Sequence, residues 1–341
     1  MSRLSDERVT SLHGAGGELM GRLLAERILP AFRLRRAGPI GLDELDDGAV
    51  IELPPGQVVV TTDNHAVKPF FFPGGDIGKL AVCGTANDLA VMGAQPVAIT
   101  MALLLEEGFS LADLEAILTS AARELADLGL PLVAGDTKVM GRGELDGIVI
   151  NTTGIGVAER AVSDAGLAVG DAILVTGTVG DHGMALLAAR EGFHLQTELT
   201  SDVAPLWPLL APVLAAGGIT AMKDPTRGGL AAALNEMARK ARVGIEARED
   251  AIPIRPEVQA LSDLLGISPL EVACEGRAVI AVTADHAETV LSLLHAHPQG
   301  KEARIIGRAI PDYPGRVVLN TGIGGRRFLE MPVGDPVPRI C

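Results

Sequence analysis

The sequence predicts an α+β protein of two domains followed by an extended tail. Three observations point there. β-Branched runs alternate with apolar helical stretches between about residues 40 and 160, and the same alternation resumes near Gly170. The last stretch is too rich in proline and glycine to continue either kind of element.

Taken in order, residues 1–39 read as an N-terminal arm. It holds a glycine loop, His13-Gly14-Ala15-Gly16-Gly17, and a helix from about Glu18 to Leu29 that Pro30 stops. Within residues 40–160, Val58 to Thr62, Val97 to Met101, Leu132 to Ala134 and Gly147 to Asn151 read as strands. Helices fall near Ile77 to Met92 and Leu111 to Leu128. Ser110 followed three residues on by Asp113 resembles a capping box, and Leu111, Leu114, Leu118, Leu125 and Leu128 share one face. Residues 165–320 form the second unit. Strand Ala172 to Thr176 enters the loop Gly177 to Gly183, and Asp224-Pro225-Thr226-Arg227-Gly228-Gly229 opens a helix through about Lys240. Gly276 to Val282 reads as a strand, and Asp285 as the cap of a helix to about His295. In the tail, residues 325–341, Pro332, Pro336 and Pro338 favour an extended segment without internal hydrogen bonds, suited to a mobile arm carrying the thiol of Cys341.

Composition narrows the function. With 48% of its 341 residues hydrophobic, the chain has ample material for packed cores. A formal charge of -14 repels a phosphate backbone, so nucleic acid is not the expected partner. Met1 to Arg8 has no apolar signal-peptide core and no stretch is long enough to span a bilayer, which places the protein in the cytoplasm as an expectation. Cys83, Cys274 and Cys341 are odd in number, far apart and without C-x-x-C spacing, which supports neither a disulfide framework nor a thiolate zinc site.

Acidic residues recur at the ends of apolar segments: Asp46 and Asp47, Asp63, Asp136, and Asp88 inside an apolar helix. A carboxylate in a low-dielectric setting needs a cation or several donors, and hard oxygen ligands converging from several loops are what Mg²⁺ with a polyphosphate requires. Asp at a strand end also caps turns, a role that fits Asp88 least. Lys68, Lys79 and Lys138 stand close to these acids in sequence, as phosphate ligands, as bases once desolvated, or as solvated surface charge. Gly74 to Leu80 imitates a P-loop but has the wrong spacing and Leu80 where a hydroxyl belongs, and Gly154-Ile155-Gly156 lacks the third glycine of the dinucleotide fingerprint. Any ATP site belongs to another architecture. His182 reads as a general base or as a loop histidine satisfied by backbone, and Cys83 as a small buried residue. Glu271 and Glu275 would flank one helical turn around Cys274 if that stretch is helical, with one of them as a proton acceptor.

Six stretches carry a resemblance: Thr62 to Pro69, Phe71 to Asp88, Gly135-Asp136-Thr137-Lys138-Val139, Asn151-Thr152-Thr153-Gly154, Asp224 to Leu230, and Pro338-Arg339-Ile340-Cys341. The chain resembles, nearly end to end, the HypE family of hydrogenase-maturation carbamoyl dehydratases. The wider superfamily holds aminoimidazole ribonucleotide synthetases, selenophosphate synthetases and thiamine-monophosphate kinases, which bind ATP and Mg²⁺ without a P-loop. The resemblance implies a two-domain aminoimidazole ribonucleotide synthetase-like fold. In it the first domain supplies half of a β-barrel completed by a second copy in a homodimer, with nucleotide at the interface. It places Asp63 with Lys68, Asn87 with Asp88, and Asp136 on metal and phosphate positions, Asp47 as a further metal ligand, and Lys79 and Asn151 within the nucleotide set. Asn64 stands where many members have Ser.

The chemistry implied is a relay on one sulfur. A HypF-type carbamoyltransferase loads Cys341, ATP phosphorylates the amide oxygen, and removal of the amide protons expels phosphate to leave a thiocyanate. The cyanide then passes to iron on a HypC–HypD assembly. Lys138 with Glu271 or Glu275 are the candidates for proton removal. Two other readings remain: selenophosphate synthesis, which the lack of a Cys in His13 to Gly17 disfavours, and a non-catalytic ATP-binding scaffold whose Cys341 ligates a metal.

Overall fold

A computed structural model of the chain describes residues 8–14, 17–46, 48–192, 199–334 and 337. The arm forms helix α1, Gly17–Leu23, which loosens into a π-turn over Leu24–Ile28 and a 3₁₀ turn over Leu29–Ala31. The expected single helix is thus broken into three. Pro30 is the physical reason, since its ring cannot stack on a regular preceding turn.

The first unit alternates β1 (Gln57–His65), a small hairpin of β2 (Phe71–Phe72) and β3 (Gly75–Asp76), α2 (Ile77–Val91), β4 (Gln95–Glu106), α3 (Leu111–Asp127), β5 (Leu132–Met140) and β6 (Ile148–Ala158). Asp76 caps α2 by accepting from the N–H groups of Gly78 and Lys79 at 2.8 and 3.1 Å, and Ser110 caps α3 through the N–H of Asp113. Among the described residues the long strands form one sheet ordered β1-β6-β4-β5, antiparallel except for β4 with β5, which α3 connects as a crossover. Both helices contribute to the core beneath this sheet, where Leu80, Leu103, Leu105, Leu114, Leu118 and Ile150 are buried. Because strand side chains alternate, the opposite face carries Val58 and Val60, which are 53% and 61% exposed, with Thr62 across from Thr153.

The second unit runs β7 (Ala172–Val175), α4 (Asp181–Arg190), α5 (Trp207–Ala216), β8 (Ile219–Lys223), α6 (Gly229–Ala241), β9 (Gly244–Arg248), α7 (Pro256–Leu265), β10 (Val279–Val282), α8 (Ala287–Ala296), β11 (Arg304–Ile310), β12 (Val317–Asn320) and β13 (Arg326–Leu329). Its sheet is ordered β13-β12-β9-β11-β7-β10-β8, with β12 parallel to β9 and the remaining pairs antiparallel. Helices cover both faces. Val175, Val279 and Ala281 pack with Leu230, Leu234 and Met237 of α6, whereas Leu174, Ile280 and Val282 turn to Leu209 and Val213 of α5 and to Val290 and Leu294 of α8. This two-sided burial explains why β7 and β10 read as unbroken apolar runs.

Three expectations are corrected here. A helix, α4, starts at Asp181, inside the segment read as a loop. Strand β10 starts at Val279, not Gly276, and the stretch from Glu271 to Gly276 is a 3₁₀ turn followed by irregular chain, so Glu271 and Glu275 do not flank a helical turn. The residue preceding α8 is His286, whose ring meets the hydroxyl of Thr283 at 3.0 Å, and Asp285 lies one position earlier. The two units also share core: Leu186, Val203, Ala273 and the tail residue Val337, itself fully buried, pack with the first unit's apolar cluster. No helix among the described residues is long and apolar enough to cross a membrane.

Candidate functional site

Alternation along β1 sends Thr61, Asp63 and His65 toward α2, and helical spacing puts Gly84 and Asp88 one turn apart to meet them. The second unit adds two irregular segments, Asp224 to Arg227 after β8 and Glu275 before β10. Together they enclose a cavity of about 100 Å³ lined by Asp63, His65, Gly84, Asp88, Asp224, Arg227 and Glu275, with Asn64 and Thr226 at its wall. A second, wider groove of about 420 Å³ shares Asp88 and Asp224 with it and contains Lys223 and Lys240, both paired with Asp164.

Four carboxyls thus line one cavity, and the charge opposing them there is Arg227, 4.0 Å from Asp63 and largely exposed. Burial, reinforced by Asp88, raises Asp63 to about 6 against the pull of Arg227. Burial and then Asp88 raise Asp224 to about 7. Asp88 is also raised by burial, although the Thr61 hydroxyl donates to it at 2.6 Å. Glu275, 3% exposed and with no partner for Oε1, is held well above the ordinary range by burial and then by its acidic neighbours. His65 is driven down to about 4 by burial and Arg227, so its ring is neutral. Groups poised near neutrality in a shielded cleft suit proton transfer.

The backbone of Glu275 is fixed from both units. Its N–H donates to Asp202 Oδ1 at 3.1 Å, and its carbonyl accepts from Asn87 Nδ2 at 3.0 Å. Asn87 also donates to Ala204 O and accepts from Leu206 N at 2.7 Å. Its amide is engaged by backbone on both ends, which makes Asn87 a clamp between units rather than a group turned to phosphate. Asn151 similarly ties the end of β1, donating to Thr62 Oγ1, Asp63 O and Asn64 Oδ1.

The other sequence candidates lie elsewhere. Lys68 pairs with Asp146 at 2.8 Å and sits 3.9 Å over the Phe70 ring. Lys79, in the first turn of α2, faces Glu124 at 4.0 Å and the carbonyl of Gly74 at 3.5 Å. Asp136 and Lys138 are exposed on the edge strand β5, and Asp136 rims a separate apolar pocket of about 180 Å³ lined by Met20, Leu24, Phe32, Met101 and Leu118. Glu271 is half-buried and does not line the acidic cavity, which leaves Glu275 as the glutamate there. His182 is buried, with Nδ1 2.7 Å from Ser201 Oγ and its ring edge-on to Phe72. Asp47 and Cys341 lie outside the described residues. Sequence reasoning missed His65, Asp224 and Arg227 as cavity residues, although the rule of acids at strand ends applies to Asp224 once β8 is known to end at Lys223.

Asp63, Asp88 and Asp224 offer hard oxygen donors, yet among the described residues no three His, Cys, Asp or Glu side chains are spaced to cage an ion unaided. That set fits Mg²⁺ as it is held with a nucleotide, by one or two carboxylates plus phosphate oxygens and water.

Comparison with known proteins follows the same division. Residues 45–158 match the family model described as AIR synthase related protein, N-terminal domain, and residues 168–320 match its C-terminal domain. Carbamoyl dehydratase HypE of Azotobacter vinelandii is 45% identical over 346 residues, spanning 100% of both chains. A crystal structure of hydrogenase maturation protein HypE in complex with ATP is similar at a TM-score of 0.92 and 38% identity, over 97% of this chain and 99% of that one. A crystal structure of a HypE–HypF complex matches at a TM-score of 0.79 and 44% identity, over 81% of this chain and 90% of that one.

Proposed function

The chain belongs to the HypE family of carbamoyl dehydratases, with the two-domain fold of AIR synthase related proteins, and from that membership we propose that it dehydrates an S-carboxamide on Cys341 to a thiocyanate, with ATP, to supply cyanide ligands for the iron of nickel–iron hydrogenase. The observation that carries this reading is Glu275, a buried carboxyl with an unpartnered oxygen in a cavity of raised carboxyls.

Losing water from a carboxamide demands that its oxygen leave and that both N–H bonds break. The oxygen leaves as phosphate once the γ-phosphoryl group is joined to it and ADP departs; one N–H proton is lost at that stage and the second as the C–O bond breaks and the nitrile forms. Glu275 suits the proton removal, because the desolvation that raises its pKa also makes its ionised form a strong base. Mg²⁺ held by Asp63 and Asp88, with Asp47 and phosphate oxygens, would neutralise charge on the transferring group. The apolar pocket beside Asp136 suits an aromatic base, and exposed Lys138 suits a phosphate. The exposed valines of β1 suit closure of the sheet against a second copy in a homodimer. The HypE–HypF complex supports a HypF-like carbamoyl donor, and a HypC–HypD-like iron carrier is the fitting acceptor of the cyanide.

Intact-mass measurement of the protein carbamoylated on Cys341 tests the reading. ATP should remove the mass of one water from the modified protein. Persistence of the carboxamide with ATP present would overturn the enzyme and leave a scaffold.

A further inference from the structure

We propose that His65 recognises the carboxamide nitrogen: its Nδ1 lone pair and Glu275 Oε1 together receive the two hydrogens of the substrate's NH₂ group. The inference rests on the dehydratase reading and deepens it by assigning a residue that selects the substrate. His65 ends β1, is 2% exposed, and lines the acidic cavity with Glu275.

The hydrogen bonds around His65 can be counted proton by proton. Thr152 Oγ1 has a single hydrogen and lies 3.2 Å from the carbonyl oxygen of Ala81, which can only accept. In the arrangement that makes hydrogen bonds of all three contacts, Thr152 donates to Ala81, and the Thr85 hydroxyl and His65 Nε2, at 3.4 Å, donate to Thr152. That arrangement puts the ring hydrogen on Nε2. Nδ1 keeps a lone pair, is buried, and has no partner. Of the buried side-chain atoms without a partner among the described residues, two belong to residues that line this cavity, Nδ1 of His65 and Oε1 of Glu275. Such atoms are uncommon in folded proteins, and a ligand bearing two hydrogens is a partner that would satisfy both. Gly84 keeps the space open, because a Cβ there would stand 2.9 Å from His65 Cε1 and 3.9 Å from Asp63 Oδ2.

A primary carboxamide nitrogen brings two hydrogens to two waiting acceptors. An S-carboxylate brings none, and neither does the nitrile product, so the contacts that hold the substrate vanish when its N–H bonds do.

Two variants separate recognition from packing. In His65→Asn the side-chain oxygen lies near the Nδ1 position and retains an acceptor; in His65→Gln the amide extends toward Thr152 and the Nδ1 position is vacated. Single-turnover dehydration of the carbamoylated full-length protein should fall roughly 100-fold or more in His65→Gln and by less than about 10-fold in His65→Asn, with the ATP concentration dependence unchanged in both. Equal losses in the two variants would overturn the proposal. Nitrogen NMR of the wild-type protein supplies the independent arm: Nδ1 should be unprotonated before carbamoylation and shift on receiving a hydrogen bond after it. A hydrogen on Nδ1, or no shift on carbamoylation, would also overturn it. Failure of the wild-type protein to lose water while the shift appears would instead sink the dehydratase reading.

Discussion

Two groups of buried carboxylates lie on either side of the Glu275 segment, and they are compensated differently. Behind it, within the second unit, Asp181 and Asp202 share the guanidinium of Arg277 at 3.7 and 3.5 Å, and Arg255 reaches Asp181 at 3.3 Å. Arg277 also donates to the carbonyl of Thr178 at 3.0 Å, and the Thr178 hydroxyl donates to Asp181. In front, the exposed Arg227 lies 4.0 Å from Asp63 and its charge also reaches Asp88, and Lys223, itself paired with Asp164 and Glu236, acts on Asp88 and Asp224 from further off. Buried acid is therefore not in itself a sign of function. Burial raises Asp181 as well and its Oδ1 has no partner, so the two arginines within 4 Å, and not a raised carboxyl, distinguish the network that holds a loop from the one suited to receive a proton, a metal or a substrate.

The widest test of that contrast swaps one residue on each side. Arg277→Met should cost about 3–5 kcal/mol in urea unfolding, because it strands Asp202 and leaves Asp181 with Arg255 as its remaining cation. Glu275→Gln should change stability by less than about 1 kcal/mol while slowing dehydration by roughly 10²–10⁴-fold. A harmless Arg277→Met beside an unfolding Glu275→Gln would reverse the assignment.

Acidity offers a finer test. Asp224 and Asp63 are raised to about 7 and about 6, above the ordinary carboxylate value, so the folded protein holds extra protons between about pH 4 and pH 7. Stability from these groups is full below that window and is lost as pH rises through it. Asp224→Asn should flatten the decline by on the order of 1 kcal/mol after allowance for solvent screening, read from urea midpoints at about pH 5 and about pH 7.5. An unaltered slope would remove Asp224 from the uncompensated group. The smallest effect is expected at Thr61, whose hydroxyl is a local donor to Asp88. Thr61→Val should lower stability by about 1 kcal/mol, a loss that shrinks as Asp88 takes up its proton. A loss independent of pH would assign it to packing.

The alternation of elements was legible because both sheets obey simple rules of burial, but element lengths were not. β1 runs on through Asp63-Asn64-His65, residues whose chemistry reads as a turn, and β6 passes through Gly154 and Gly156, which read as breakers. Gly154 is needed because a Cβ there would meet Thr85 Cγ2 at 2.7 Å. Asp63, Asp88 and Glu275 were visible as acids in apolar surroundings. Asp224 was not, because Thr220 and Lys223 interrupt the apolar run of β8 before it. The choice between Glu271 and Glu275 lay beyond any local pattern, since it depends on Asn87 and Asp202 reaching the backbone of one residue from opposite units.

The buried Val337 sets a length scale for the sulfur the protein is proposed to use. Three residues lie between it and Cys341, four steps along the chain, and a fully extended chain advances about 3.5 Å per residue. With Val337 seated, four extended steps set an upper limit of about 14 Å on the distance from that anchor to the Cα of residue 341. A proposed hand-over beyond that radius would expose Val337, at about 1.5–3 kcal/mol for its side chain.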